Sequence, residues 1–291
     1  MAVLERPPPL GSRLWLYTNF DCNLACDYCC ARSSPRAAAR RLPLEIARRA
    51  CEEFAGLGGR ELLLTGGEPF LDPELPRLVG AAARWMPVTI LTNAMLIGRG
   101  SRRRTLDALD PTRVTMQVSL DSGTPALHDR HRGHGAFDRA RAGIALLREL
   151  GFHVRVAATV EESDAAEEAG FHATLDADGI PSEHRLVRRV ARAGFADHGL
   201  ELSLNTLWPE PAVAADGLVA PGRDRRPRHA DRLDAAADRH RARRHPRNPQ
   251  RSSPRPRHRA RGLPLHLSPS ERAARAGDVA RTSRPRRSRA G

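Results

Sequence analysis

The sequence predicts an α/β fold: a partial, open (β/α)6 barrel of TIM-like type, followed by a disordered basic C-terminal tail. Three observations carry this prediction. From Arg13 to about residue 205, short apolar or β-branched runs alternate with amphipathic stretches, the pattern of strand–helix units joined by right-handed crossovers into a parallel sheet. About six such units over roughly 190 residues fall short of the eight units and ~250 residues of a closed barrel. Beyond residue 220 the apolar residues thin out and arginine takes over.

Strands are predicted at Leu14–Asn19, Glu61–Thr65, Val88–Thr92, Arg113–Leu120, Phe152–Val160 and His184–Val190. Each is a short run of the kind buried on both faces of a parallel sheet. Between the first two, Pro43 to Leu57 places Leu44, Ala47, Cys51, Phe54 and Leu57 on one helical stripe, with Gly56, Gly58 and Gly59 near its end. Residues 73–85, 101–109 and 137–150 supply three further helices. The last stacks Ala140, Ile144, Leu147 and Leu150 on one face before Gly151 stops it. The expected organisation is a lead-in over 1–12, a core domain over 13–205, a remnant of a C-terminal extension over 206–220, and an Arg/Pro-rich tail over 221–291.

Charge is unevenly spread. Residues 1–220 carry 26 Arg against 28 acids, whereas residues 221–291 carry 22 Arg against 6, so the net charge of +14 belongs to the last quarter of the chain. That quarter has no Phe, Tyr, Trp, Ile, Met or Cys, and cannot bury enough apolar surface to offset the entropy of ordering it. Dense arginine attracts phosphate, but the interleaved aromatics of a single-strand binder are absent, so nucleic acid is not the expected partner. An abrupt change to Lys-free, aromatic-free Arg/Pro/His text is also how GC-rich DNA reads when translated out of frame. No secretory signal is expected at the N-terminus, and no apolar run approaches the ~18–20 residues that span a bilayer. All five cysteines fall within the first 51 residues, unlike a disulfide framework; a cytoplasmic, reducing setting is expected.

Chemistry concentrates where the predicted strands end. The run Cys22-Asn-Leu-Ala-Cys26-Asp-Tyr-Cys29-Cys30 follows the first strand. Three thiols spaced C-x3-C-x2-C in one loop can wrap one corner of an iron–sulfur cube, and a three-ligand loop leaves one iron open. The alternative is a zinc loop, which wants four ligands and a second ligand pair; no such pair follows. Gly66-Gly-Glu-Pro69 closes the second strand, Thr92-Asn93 the third and Ser119-Leu-Asp121 the fourth. The active ends of such barrels are the C-terminal ends of the strands, so the cysteine loop, the Gly66-Gly-Glu-Pro69 turn and Ser119-Leu-Asp121 point to one shared site. Each also has a plainer reading, as a turn or an Asx or Ser cap. His128-Asp-Arg-His-Arg-Gly-His134 is expected to be a solvated loop. Cys51, on the apolar stripe, is expected to be a buried inert thiol, and Cys30 a spectator.

Together these motifs resemble the radical S-adenosylmethionine (SAM) superfamily, including its aromatic residue before the third cysteine, here Tyr28. The resemblance implies a 4Fe–4S cluster on Cys22, Cys26 and Cys29, with SAM chelating the open iron. SAM contacts are implied for Tyr28, for Gly66, Gly67, Glu68 and Pro69 around the methionine amino group, and for Asn93, Ser119 and Asp121. Glu68 has the alternative of ordering its loop, and Asp121 that of shaping its turn. Arg130 or Arg132 is a candidate for the SAM carboxylate or a substrate acid. The implied chemistry is reductive cleavage of SAM to a 5′-deoxyadenosyl radical, which abstracts hydrogen from a peptide or small-molecule substrate. It implies an electron donor of flavodoxin or ferredoxin type, and requires no side chain as acid, base or nucleophile. Two other readings stay open: a truncated, incompetent member of the family, and a nucleic-acid-binding protein with a structural cluster. The absence of any cysteine after Cys51 leaves no thiolates for a further cluster downstream.

Overall fold

The computed structural model describes residues 11–202, 210–215 and 217–219. The expectations for most of the lead-in, for part of the 206–220 remnant and for the basic tail lie outside the described residues. Among the described residues eight strands form one sheet: β1 (Arg13–Asn19), β2 (Glu61–Gly66), β3 (Val88–Thr92), β4 (Val114–Ser119), β5 (His153–Val160), β6 (Arg185–Arg189), β7 (Ala212–Ala214) and β8 (Gly217–Val219). Their order is β6-β5-β4-β3-β2-β1-β7-β8. Neighbours are parallel except β7 and β8, which pair antiparallel. The ends of this order do not meet, so the barrel is open. Strands β7 and β8 fall in the stretch read from sequence as a remnant.

Among the described residues six helices accompany the sheet: α1 (Leu44–Gly56), α2 (Leu75–Ala82), α3 (Gly100–Asp107), α4 (Pro125–Arg132), α5 (Ala136–Glu149) and α6 (Glu168–Ala177). They cover one face. Leu64, Ile90, Met116 and Val154 sit in register across β2 to β5 and are buried with Phe54 of α1, Leu78 of α2, Leu147 of α5 and Phe171 of α6. Cys51 packs into this core and is fully buried.

Two expectations are corrected. Burial on both faces holds for the central strands, where Leu62, Leu63 and Leu64 of β2 and Met116, Gln117 and Val118 of β4 are all buried, but not for every strand. In β5, Val154, Val156, Ala158 and Val160 are buried, while His153, Arg155, Ala157 and Thr159 are half-buried or exposed. Helices cover only one side, and the opposite face lines the interior of an open barrel. Nor is the histidine-rich run a solvated loop. Helix α4 takes it up to Arg132, and His128 and His131 are only 1% and 8% exposed. Its polarity is satisfied by tertiary partners: Asp121 N–H donates to His128 Nδ1 at 3.0 Å, and Asp129 accepts from Gly135 N and Phe137 N at 2.6 and 2.8 Å. Helix α6, which the apolar pattern did not single out, buries Phe171 and Leu175. No helix among the described residues is long and apolar enough to cross a membrane.

Candidate cofactor site

The ends of β1 to β4 meet around the cysteine loop. The turn after β2 is stitched to the segment leading into that loop: Gly67 N–H donates to Asn19 O and Glu68 N–H to Asp21 O, both at 3.0 Å. The Asn19 side chain returns a bond to Glu68 O at 3.0 Å. Glycine is required there. A Cβ on Gly67 would lie 1.9 Å from Asp21 O, and one on Gly66, whose φ is +132°, would lie 2.2 Å from Asn19 O.

Glu68 is buried and committed to protein donors. Its Oε1 accepts from Phe70 N at 3.1 Å and Thr92 Oγ1 at 2.8 Å, and its Oε2 from Asn93 N at 2.9 Å. Burial nevertheless holds its carboxyl above the usual range. The carboxylate thus pins the turn after β2 to the end of β3. Pro69 is buried at the start of a 3₁₀ turn, Pro69–Leu71. Asn93 faces the cysteine loop: its Nδ2 donates to Asn23 Oδ1 at 2.9 Å and lies 4.0 Å from Cys22 Sγ. Its Oδ1 accepts from Met95 N, an Asx turn as well as a loop contact. Ser119 ends β4 half-buried, and no hydrogen bond engages its hydroxyl among the described residues.

Asp121 is a buried hub that ties the loop down from the other side. It accepts from the Tyr28 hydroxyl, from Arg132 Nε and Nη2, and from Thr159 N at 3.0 Å. Burial alone would raise its carboxyl; the Arg132 guanidinium and the other donors hold it below the ordinary value. Tyr28 is buried against Val190 and Ala196. Arg132, a candidate for a ligand carboxylate, spends its guanidinium on Asp121, and Arg130 pairs with Asp164. Sequence reasoning missed Gly194. At φ +66° it lies flat on the loop, where a Cβ would be 2.2 Å from Cys29 O, and Phe195 N–H donates to that carbonyl at 3.1 Å. Only a glycine after the last strand hinted at it.

All five cysteines are free thiols. Burial pushes Cys22 up to about 12 and Cys26 up to about 11, so ligation at neutral pH requires a positive centre that displaces their protons. Backbone N–H groups are already aimed at sulfur: Leu24 N at Cys22 Sγ and Ser33 N at Cys29 Sγ, both 3.4 Å. Among the described residues, the three ligand atoms gathered within 4.8 Å of one another belong to Asp27, His131 and Glu161. Cys30 is exposed, its Sγ 3.9 Å from Tyr28 O.

Residues 16–161, half of the chain, match the model of the radical SAM superfamily. The chain belongs to the radical SAM superfamily. Members of this superfamily are enzymes that bind a 4Fe–4S cluster and SAM, and the donor set above fits both demands. The chain is 31% identical over 153 residues to an AdoMet-dependent heme synthase of Methanosarcina barkeri, covering 50% of this chain and 42% of that protein. It is 37% identical over 132 residues to a PqqA peptide cyclase of Ruegeria pomeroyi, covering 45% and 34%. The structure of Streptococcus suis SuiB bound to S-adenosylmethionine shares the fold, with a TM-score of 0.54 and 21% identity over 67% of this chain and 45% of that one. The chain spans less than half the length of these relatives.

Proposed function

We propose that this radical SAM chain generates a 5′-deoxyadenosyl radical and uses it to abstract hydrogen from a peptide or small-molecule substrate. One observation supports this most: three free thiols share a loop held against the glycine turn, Asn93 and the end of β4, all at the C-terminal edge of the sheet. Cys22, Cys26 and Cys29 would hold the cluster. When bound, cluster and SAM supply one-electron cleavage of the S–C5′ bond and the organic radical. The chain's residues orient and enclose. The Gly67 carbonyl takes no protein hydrogen bond among the described residues, leaving it for the methionine ammonium, and the free Ser119 hydroxyl stands ready for the carboxylate or ribose. Asn93 borders both the loop and the ligand space. Glu68, Pro69, Tyr28 and Asp121 act one step back, fixing the turn and the loop on which SAM would rest. No side chain is assigned as acid, base or nucleophile. The electron donor would be a flavodoxin or ferredoxin type protein. The peptide reading draws on the peptide cyclase relative, and the small-molecule reading on the heme synthase.

Anaerobic reconstitution with iron and sulfide, followed by SAM and dithionite, tests the proposal. The expected result is a charge-transfer absorbance from the cluster and release of 5′-deoxyadenosine, both lost in Cys26→Ala. A cluster-loaded chain that yields no 5′-deoxyadenosine would sink the enzymatic part.

A further inference from the structure

Asp27 lies between the second and third thiols of the cysteine loop, and its carboxylate contacts a single buried imidazole. His131 Nδ1 is 2.8 Å from Asp27 Oδ2 and 3.1 Å from Oδ1. The other ring nitrogen faces Arg130, whose Nε and Nη2 lie 3.3 and 3.2 Å from His131 Nε2. Asp164 Oδ2 stands farther off, 3.7 Å from Nε2; a guanidinium has five donors and no acceptor, so in the neutral ring Nε2 accepts from Arg130 and the proton sits on Nδ1, where it donates to Asp27. Arg130 is in turn held by Asp164, in the 3₁₀ turn Glu162–Glu167 that follows β5. The ring is 8% exposed and tilts against the Tyr28 ring at 5.7 Å between centroids.

Glu161 Oε1 also approaches Nδ1, at 3.9 Å, which raises a divalent cation among Asp27, His131 and Glu161. The Arg130 contact argues against it. A metal on Nδ1 would leave the ring proton on Nε2, pointing at guanidinium N–H groups.

We infer that His131 is a positioning residue for the cysteine loop: locked by Arg130 with its proton on Nδ1, it fixes Asp27 and thereby the setting of Cys26 and Cys29. This rests on the cluster reading above. The chain Asp164–Arg130–His131–Asp27 reaches the loop from β5 and α4, separately from the Asp121 hub. Outer partners that orient metal ligands typically change metal affinity about 10- to 100-fold when removed. Because His131 acts through Asp27, the lower end applies.

The experiment measures anaerobic cluster loss to an iron chelator, together with the electron paramagnetic resonance spectrum of the reduced cluster before and after SAM. His131→Ala should lose its cluster about 10-fold faster than wild type and show an altered SAM-dependent spectral shift. His131→Asn, whose amide nitrogen falls near the Nδ1 position and can donate to Asp27, should restore most of both. Asp27→Ala, which removes the acceptor, should match His131→Ala, and the Asp27→Ala/His131→Ala double variant should be no worse than either. Circular dichroism melting of the apo chains verifies folding. Cluster retention and spectra in His131→Ala equal to wild type would overturn this inference alone, as would additive loss in the double variant or failure of His131→Asn to rescue. A wild-type chain that takes up no cluster would overturn the cluster reading, and this inference with it.

Discussion

Replacing Asp121 by Asn is the sharpest test of how the site is held. The Asp121 side chain is 2% exposed and that of Arg132 10%, so neither charge is relieved by water. The amide keeps the carboxylate's shape and accepts some of the same bonds, but leaves the guanidinium without its counter-charge. Breaking one side of a buried pair costs about 3–5 kcal/mol, against a total stability of about 5–15 kcal/mol for a typical domain. With a urea slope of about 2–3 kcal/mol per molar, the unfolding midpoint should fall by ~1–2 M. Fluorescence of Trp15 and Trp85 during urea titration of the apo chain reads this out. Asp121→Leu combined with Arg132→Met should recover part of the loss, because an apolar pair replaces both charges while the Tyr28 hydroxyl and Thr159 N–H lose their acceptor. A midpoint shift below about 0.3 M in Asp121→Asn would refute the reasoning, whose costs come from an uncompensated buried charge. A double variant as unstable as the sum of its singles would refute it too.

Three further outcomes follow from the same structure. Cys26→Ala should abolish iron uptake, while Cys51→Ala, buried in the helix-covered core, should leave iron per chain unchanged; equal iron contents in the two would contradict the ligand assignment. Gly67→Ala places a methyl where only 1.9 Å separates it from Asp21 O; displacing that backbone should cost about 1–3 kcal/mol and weaken cluster retention, whereas Gly80→Ala, with open space at the Cβ, should do neither. Burial holds His128 down to about 4, from an ordinary 6.5. The unfolded chain therefore binds more protons between those values, so the stability from a neutral His128 is whole above pH 6.5 and is lost as pH falls toward 4. Between pH 7 and 5 the loss is about 2 kcal/mol; urea midpoints at the two pH values should show it, and His128→Asn should flatten the slope.

The cysteine spacing, the glycine turn and the strand ends were legible because each is local: thiols within one loop must converge, and a strand's end is marked by a break in its own apolar run. The same logic made the helix of Ala140, Ile144 and Leu147 readable up to Gly151. What failed was non-local. His128 and His131 read as polar and hence solvated, yet Asp121 N, Asp27 and Arg130 satisfy them inside the fold. Arg132 read as a ligand-binding cation, yet its partner is Asp121, eleven residues away on another element.

By itself, the sequence determined the alternation of strands and helices, the three thiols in one loop, and the family that such a loop with Gly66-Gly-Glu-Pro69 implies. Only the tertiary structure decided which polar groups are spent on the protein and which are left for a ligand. Glu68, Tyr28, Asp121 and Arg132 are bound to one another or to backbone, while Ser119 is not. The physical reason is that a side chain's availability is set by what else reaches it, and the partners here arrive from strands and helices dozens of residues apart.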